Sequence, residues 1–315
     1  MMRAFYRPRT RPASHDLSQP PSITLIAGPT ASGKSALALK MARETGAMII
    51  NADSQQLYAD LRILTARPSA EDEAQADHQL YGVADAADAW SVGRWSRAVM
   101  ALLDDLREHG RPAIVVGGTG LYFTSLTRGL ADIPAVPSAV RDEVNDDYLT
   151  QGEMVFRSRL AQVDPDAAST IQQGDRQRLV RAMSVFVASG RSVTGWKADT
   201  QPLLPTGSWK GLVIEPNRQV LYKMCDLRVD LMMAQGAMDE VEVLLARGLN
   251  AALPAMKAVG VREMAAHLTG GLARDDAVAA LKQATRNYAK RQLTWFRNQN
   301  SGWCRCTGNT DLVAP

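Results

Sequence analysis

The octapeptide Gly28-Pro29-Thr30-Ala31-Ser32-Gly33-Lys34-Ser35 follows directly on the apolar run from Ile23 to Ala27. It fits the phosphate-binding pattern G-x-x-x-x-G-K-[ST], in which a buried strand ends in a glycine-rich turn that opens a helix. The backbone N–H groups of such a turn form a nest for phosphate oxygens. Lys34 would add a positive charge, and the Ser35 hydroxyl would hold Mg²⁺. The sequence therefore predicts a phosphate site between a strand and a helix over 36–43.

Composition excludes several classes of protein. The chain has 315 residues, of which 46% are hydrophobic and 22% charged. No apolar run reaches the roughly 18 residues that span a bilayer, so we expect no membrane segment. The three cysteines form an odd set, which favours a reducing compartment and predicts a cytoplasmic protein. The formal net charge of +3 is too small to indicate a nucleic-acid partner by itself, and the arginine- and proline-rich residues 1–20 predict a disordered basic tail.

Four short apolar runs, at 23–27, 47–50, 113–116 and 212–214, are separated by helix-like stretches. Strands that alternate with helices predict an α/β fold with a mainly parallel sheet flanked by helices. Together with the phosphate-binding motif, this pattern indicates a P-loop NTPase-like core.

Polar or glycine-rich residues follow the first three runs, and Asp53 and Thr119 are among them. Because ligands bind beyond the carboxyl ends of parallel strands, we expect both side chains near the bound phosphate. Asp53 could serve as a metal ligand, as a general base, or only as a turn-capping aspartate. Spacing does not separate these roles.

The chain changes character after Pro134. No strand-like run occurs before about Pro205, and helices broken near Asp164-Pro165 and Gly174 are expected. The predicted organisation is a tail over 1–20, a core over 21–135 and 205–300, a helical insertion domain over 136–204, and a C-terminal tail over 301–315. In the helix that starts near Asn217, a stripe recurs at helical spacing and predicts the core-facing side: Val220, Met224, Leu227 and Leu231.

Two basic segments are candidates for contact with RNA. Arg178 and Arg181 lie one helical turn apart and suit phosphodiester oxygens, although a solvated helix face would look similar. Lys282, Arg286 and Lys290 would line one face of a helix and repel each other unless a polyanion offsets the repulsion. The neighbouring Trp295-Phe296 could stack on bases, but a core position is favoured.

In order along the chain, these and further motifs resemble the bacterial tRNA dimethylallyltransferase (isopentenyltransferase) family over nearly the whole length. The segments that carry the resemblance are Gly28 to Ser35, Asn51 to Tyr58, Gly117 to Tyr122, Asp132 to Pro134, Asp175 to Arg181, Val259 to Met264 and Thr285 to Arg297.

The resemblance implies transfer of a dimethylallyl group from dimethylallyl diphosphate to the exocyclic amine of the tRNA adenosine just 3′ of the anticodon, with Mg²⁺. Asp53 would be the general base. Lys34, Ser35 with its Mg²⁺, and Arg228 would neutralise the departing diphosphate. Thr119 would contact the flipped adenosine or its neighbours.

The resemblance also implies a set of residues that bind the anticodon stem-loop of tRNA: Asp53, Ser54, Gln55, Gln56, Thr119, Arg141, Gln177, Arg178, Leu179, Val180 and Arg181. A monomer would suffice for the reaction. Two alternatives remain at this stage. One is a prenyl transferase acting on a free adenine nucleotide, and the other is a small-molecule kinase that binds ATP in the phosphate loop.

Overall fold

The computed structural model describes residues 23–307, so the predicted tail over 1–20 lies outside the described residues. Within them, one sheet has the strand order β3-β2-β4-β1-β5-β6, and every neighbouring pair is parallel. The strands are β1 Ile23–Ala27, β2 Met48–Asn51, β3 His78–Gln79, β4 Ala113–Gly117, β5 Trp209–Ile214 and β6 Cys304–Cys306. The predicted α/β fold with a mainly parallel sheet is confirmed.

The two strands that the sequence did not predict are both short edge strands. Strand β3 has two residues and β6 has three, so neither contains a recognisable apolar run. Strand β6 extends the sheet through the register Val213 to Arg305. The assignment of 301–315 to a tail was therefore wrong for Cys304–Cys306, while residues 308–315 lie outside the described part.

Helices connect the strands and also build the insertion. They are α1 Lys34–Thr45, α2 Ala70–Gln75, α3 Val92–Glu108, α4 Gly120–Thr127, α5 Ser138–Val163, α6 Pro165–Thr170, α7 Arg176–Ser189, α8 Val193–Ala198, α9 Arg218–Ala234, α10 Ala237–Ala246, α11 Val261–Leu268 and α12 Arg274–Gln299, with a 3₁₀ turn at Ala255–Lys257. None of the helices within 23–307 is both long enough and apolar enough to cross a membrane.

Alternate residues of the central strands face two separate cores. Leu25, Ile50 and Val115 point into the larger cluster, which includes residues of α3, α9 and α12. Ile26 and its neighbours on the other face pack against α1. Because both faces are covered by helices, the strands read as continuous apolar runs.

Helix α9 buries a different face from the predicted one. Val220, Leu227 and Leu231 are 40%, 49% and 48% exposed, and the core is contacted instead by residues one or two positions further along: Leu221, Cys225, Val229 and Met232. The fourth residue of the predicted stripe, Met224, is partly buried against a smaller core cluster. Apolar residues occupy two adjacent faces of this helix, so the periodic pattern alone selected the wrong face for the other three.

The cationic face of α12 is largely neutralised within the protein. The Lys282 ammonium lies 2.6 Å from Asp230 of α9, and Arg286 forms an ion pair with Asp226. Acids of the protein itself therefore offset the expected repulsion of these two cations, while contact of this face with RNA remains a prediction. Phe296 is fully buried, which confirms the core interpretation of the adjacent aromatic pair.

Residues 127–203 form a second compact unit, made of helices with a core of their own. Phe156, Leu160 and Leu179 are its fully buried members. The helices break at Asp164-Pro165 and at Gly174, as the sequence predicts.

Candidate active site at the carboxyl ends of the strands

Three loops meet where β1, β2 and β4 end. The Gly28 N–H donates to the Gly117 carbonyl at 3.3 Å, and the Thr119 N–H donates to the Ala52 carbonyl at 3.1 Å. The Ser54 N–H donates to Thr119 Oγ1 at 2.9 Å. A Cβ on Gly117 would lie 2.1 Å from the Ala52 backbone, so this approach requires glycine. Asp53 and Thr119 thus lie at the same rim as the phosphate loop, as predicted.

The phosphate loop adopts the conformation of an anion nest. Ala31 has φ 61° and Gly33 has φ 84°, and the left-handed conformation turns successive N–H groups toward one concavity. The Ser32 hydroxyl is buried and has no hydrogen-bond partner among the described residues. A buried polar group without a partner is costly, so this hydroxyl is suited to a bound oxyanion.

Two cations adjoin the loop, the buried Lys34 and the partly buried Arg228. Burial lowers the pKa of Lys34 to about 8, the nearby Asp53 carboxylate partly offsets this, and Arg228 adds to the lowering. Arg228 Nη1 donates to Thr30 Oγ1 at 3.2 Å, and burial lowers its pKa as well. In the described part of the chain, neither side chain forms an ion pair with a carboxylate. A bound anion would therefore stabilise both charged forms.

The Asp53 side chain is nearly buried, and its surroundings fix its position. Its Oδ1 accepts from the Gln55 N–H at 3.0 Å, which is the turn-capping role considered above. The Asp53 N–H donates to Asn51 Oδ1 at 2.7 Å, and Asn51 Nδ2 donates to the Leu80 carbonyl at 2.9 Å. Among residues 23–307, Asp53 Oδ2 accepts no hydrogen bond. One oxygen therefore holds the turn and the other is available for chemistry.

Sequence reasoning missed Gln292 as a site residue. Its buried amide accepts from the Thr30 N–H at 2.8 Å through Oε1 and donates to the Gly118 carbonyl at 3.0 Å through Nε2. One side chain thus links the phosphate loop to the loop after β4. The signal that could have found it is a polar residue in phase with Ala289 and Phe296 on the buried face of α12.

Tyr288, one turn earlier on α12, also contacts the site. Burial and the Asp53 carboxylate raise its pKa, which is opposed by Arg291 and by hydrogen bonds with the side chains of Thr119 and Gln292. The phenol therefore stays protonated at neutral pH. It adds a second unpredicted polar group beside Asp53 and Thr119.

The two predicted glutamine contacts are engaged with the protein itself. Gln55 Oε1 accepts from the Val259 N–H at 3.2 Å. Gln56 Nε2 donates to the carbonyls of Thr65 and Ala66, both at 2.8 Å. Contact of these amides with RNA remains a prediction.

In the insertion unit, a cleft of about 780 Å³ is lined by four of the six predicted RNA-binding residues that lie in that unit. Arg141, Gln177, Val180 and Arg181 line it. Arg178 does not, since it forms an ion pair with Asp175 on the exposed side of α7. Leu179 is completely buried in the core of the insertion, so its side chain is not accessible, and contact with tRNA at this position remains a prediction.

Ser35 is exposed at the first turn of α1, and its hydroxyl has no hydrogen-bond partner within the described residues. Residues 23–307 contain no group of three or more His, Cys, Asp or Glu side chains that could hold a metal ion. A cation at Ser35 would thus take its other ligands from phosphate and water. This ligand set fits Mg²⁺, which keeps several waters and binds through one or two protein groups.

Comparison with known proteins decides the family. The family model described as IPP transferase matches residues 56–299, and that of isopentenyl transferase matches residues 21–85. The chain belongs to the IPP transferase family. The resemblance inferred from the sequence motifs is therefore confirmed.

Two relatives of this IPP transferase family member are named tRNA dimethylallyltransferase. That of Caulobacter sp. (strain K31) is 59% identical over 293 residues, which is 93% of this chain and 94% of the relative. That of Phenylobacterium zucineum (strain HLK1) is 55% identical over 289 residues, 92% and 94% of the two chains.

Solved structures agree with the fold. The full-length tRNA isopentenylpyrophosphate transferase from Bacillus halodurans matches with a TM-score of 0.64 and 31% identity, over 90% of this chain and 89% of that one. A eukaryotic dimethylallyltransferase acting on tRNA matches with a TM-score of 0.75 and 24% identity, over 88% of this chain and 70% of that one. The second likeness concerns the fold alone.

Proposed function

We propose that the protein transfers a dimethylallyl group from dimethylallyl diphosphate to the exocyclic amine of the adenosine 3′-adjacent to the anticodon in tRNA. The observation that carries this proposal is the set of hydrogen bonds that hold the phosphate loop and the Asp53 turn next to each other. Gln292 joins the phosphate loop to the Gly118 carbonyl in the loop after β4. In that second loop, Thr119 Oγ1 accepts the Ser54 N–H, which lies next to Asp53. A leaving-group site and a carboxylate are thereby held together.

The donor's diphosphate would occupy the nest. When the allylic C–O bond breaks, its electron pair leaves with the diphosphate, and negative charge grows on the oxygens near Lys34 and Arg228. Positive groups aimed in advance at developing charge are the strongest contribution that such a site can make. Mg²⁺ bound at the Ser35 hydroxyl would supply further positive charge to the same oxygens.

The acceptor amine would lie on the Asp53 side. Its nitrogen lone pair forms the new N–C bond to the allylic carbon, and one N–H proton passes to Asp53 Oδ2, the oxygen that accepts no other hydrogen bond. An aromatic amine is a poor nucleophile, so removal of this proton by a positioned base assists the reaction. The Thr119 hydroxyl donates to the Ser54 hydroxyl, and Thr119 would help to orient the adenine ring.

RNA is the acceptor that best fits the second unit. The insertion cleft presents Arg141, Arg176 and Arg181, and guanidinium groups suit phosphodiester oxygens. The target adenine must leave its stack, which costs a few kcal/mol, and this cost is lowest in a loop.

One chain carries every group used above, so we expect a monomer. The free thiols Cys225, Cys304 and Cys306 suit the cytoplasm.

Mass spectrometry of tRNA nucleosides from cells that lack the protein tests this function. We expect prenylated adenosine to disappear and to return when the gene is restored. Competition between AMP and tRNA for the purified protein then separates the two prenyl-transfer alternatives. Consumption of the donor with AMP but not with tRNA would contradict the proposal and favour the free-nucleotide reaction.

A further inference from the structure

Tyr288 of α12 is a polar residue of the active site to which the reaction described above assigns no role. It lies one helical turn before Gln292, at positions i and i+4, so the two side chains share one face of the helix. That face meets the loop after β4, because Gln292 Nε2 donates to the Gly118 carbonyl at 3.0 Å. The helix therefore brings the phenol to the same rim as the other site residues.

The phenol forms hydrogen bonds with two side chains of the site. Its partners are the Thr119 hydroxyl and the Gln292 amide. The Arg291 guanidinium lies 5.7 Å from the centre of the ring, within the range of a cation–π contact. Burial and the nearby Asp53 carboxylate raise the pKa of the phenol, so its O–H is present as a donor at neutral pH.

The Gln292 amide leaves one hydrogen for the phenol oxygen. Its Oε1 accepts the Thr30 N–H at 2.8 Å, and one of its two Nε2 hydrogens goes to the Gly118 carbonyl. The second Nε2 hydrogen is therefore the one that Gln292 donates to Tyr288. Through this amide, the phenol oxygen is tied to the phosphate loop.

The Thr119 hydroxyl leaves one lone pair for the phenol proton. Its Oγ1 accepts the Ser54 N–H at 2.9 Å and donates its own hydrogen to Ser54 Oγ at 3.2 Å. A hydroxyl oxygen has two lone pairs, so the second one accepts from the Tyr288 O–H. The hydrogen bonds thus run in one direction, from the Gln292 amide through the phenol to Thr119.

This row of hydrogen bonds passes beside the atom assigned to proton transfer. A Cβ on Gly118 would lie 2.1 Å from Gln292 Nε2 and 3.2 Å from Asp53 Oδ2, so the amide and the carboxylate oxygen lie against the same glycine. Thr119, at the end of the row, is the residue assigned to orient the adenine ring. Because a misplacement of about 1 Å can slow a reaction about a hundredfold, a group that fixes Thr119 affects the rate.

We propose that Tyr288 is a positioning residue for prenyl transfer, and that its hydroxyl fixes the Thr119 hydroxyl relative to the Gln292 bridge. It acts through Thr119 and touches neither the donor nor the transferred proton. The inference rests on the proposed function, because the position of Thr119 matters to the rate only when an acceptor base lies against it. The phenol keeps the donor and acceptor sides of the site in one geometry and does not add affinity for either substrate.

Tyr288→Phe tests this role, since it removes the hydroxyl and keeps the ring beside Arg291. We expect kcat for prenyl transfer to fall by about 5- to 150-fold, the range for buried groups that lose their hydrogen-bond partner. The KM values for an anticodon stem-loop and for dimethylallyl diphosphate should be unchanged, because the lost hydroxyl contacts neither substrate. The matched control is Tyr222→Phe on α9, which removes a phenol oxygen that accepts from the exposed Arg218 Nε at 3.1 Å, and it should keep full activity.

A double-mutant cycle with Thr119→Val separates positioning from a general loss of packing. If the phenol acts through the Thr119 hydroxyl, Tyr288→Phe should have little further effect on kcat once that hydroxyl is absent. Independent, multiplying effects of the two substitutions would overturn the inference. A raised KM for the stem-loop with an unchanged kcat in Tyr288→Phe would also overturn it, because the phenol would then be an RNA contact.

The inference and the proposed function fail in different ways. A kcat for Tyr288→Phe equal to that of the unaltered protein would overturn the inference and leave the proposed function intact. Absence of prenylated product from the unaltered protein would instead refute the proposed function. Urea denaturation of each variant, followed by circular dichroism, confirms that the compared proteins are folded.

Discussion

At the scale of single residues, Asp53 shows how one side chain can be both structural and chemical. Its Oδ1 accepts the Gln55 N–H, and Asn51 fixes its backbone from both sides. The turn-capping and functional interpretations are therefore compatible. The sequence could place Asp53 at the rim, but it could not show that Oδ1 is taken by the Gln55 N–H while Oδ2 accepts no hydrogen bond among residues 23–307.

Replacement of Asp53 by asparagine tests the general-base role. The amide oxygen can still accept the Gln55 N–H, so the loop should be kept while the proton acceptor is lost. We expect single-turnover rates to fall by about 10²–10⁴-fold, with tRNA affinity unchanged. Asp104→Asn on α3, where the side chain is 49% exposed, is the matched control and should keep full activity. Normal turnover in Asp53→Asn would exclude this carboxylate as the base.

Gln292 is expected to position the phosphate loop. In Gln292→Glu the bond from Thr30 is kept, but the donor to the Gly118 carbonyl is lost and a negative charge faces the diphosphate. Leaving a buried acceptor unpaired costs about 1–3 kcal/mol, which corresponds to a drop of about 5- to 150-fold in kcat/KM for the donor. Gln283→Glu, an exposed position on the same helix, serves as the control. Equal kcat/KM values in the two variants would show that the bridge has no role in catalysis.

The lowered pKa of Lys34 predicts a pH dependence of donor binding. Below pH 8 the free protein carries a protonated Lys34, which attracts the diphosphate. Above pH 8 the free protein has lost this proton and must take one up on binding, so the Kd should rise by up to tenfold for each pH unit. In Lys34→Met the affinity should be lower and flat from pH 7 to about 9. Titration calorimetry measures both, and a flat profile for the unaltered protein would contradict this expectation.

At the scale of helices and strands, the sequence predicted the buried strands in the middle of the sheet but not the two short strands at its edges. Strands β1, β2 and β4 and the end of β5 are apolar runs, whereas β3 and β6 pair at the sheet edges with too few residues to form a pattern. Helix α9 offered two apolar faces. Its acids Asp226 and Asp230 pair with α12, so the choice between the faces was made by tertiary contact rather than by periodicity.

A matched pair of substitutions measures which face of α9 supports the core. Leu221→Ala removes a fully buried side chain and should lower the free energy of unfolding by about 2–5 kcal/mol. Leu231→Ala removes a half-exposed one, and we expect a change within about 0.5 kcal/mol. Urea denaturation followed by circular dichroism compares them. Equal losses of stability would contradict the burial described for this helix.

At the scale of the whole molecule, the site combines segments that are distant in sequence. The rule that parallel strands end at one rim was enough to bring together the loop from Gly28, Asp53 and Thr119. It could not reveal Gln292 or Tyr288, because those residues reach the rim from α12, which is distant in sequence: Gln292 lies 262 residues from Thr30 and 174 residues from Gly118. Only the family resemblance predicted that Arg228 acts at the phosphate loop. Its hydrogen bond to Thr30 Oγ1 shows how it is held there.

Transfer of labelled prenyl groups measures the central claim most directly. Purified protein is incubated with Mg²⁺, unmodified tRNA and dimethylallyl diphosphate labelled in its five-carbon chain, and the tRNA is digested to nucleosides. We predict label in a single modified adenosine, with release of unlabelled diphosphate and no need for ATP. Label that stays in the donor, together with ATP-dependent phosphorylation of a small molecule, would contradict the claim and make the phosphate loop the site of a kinase.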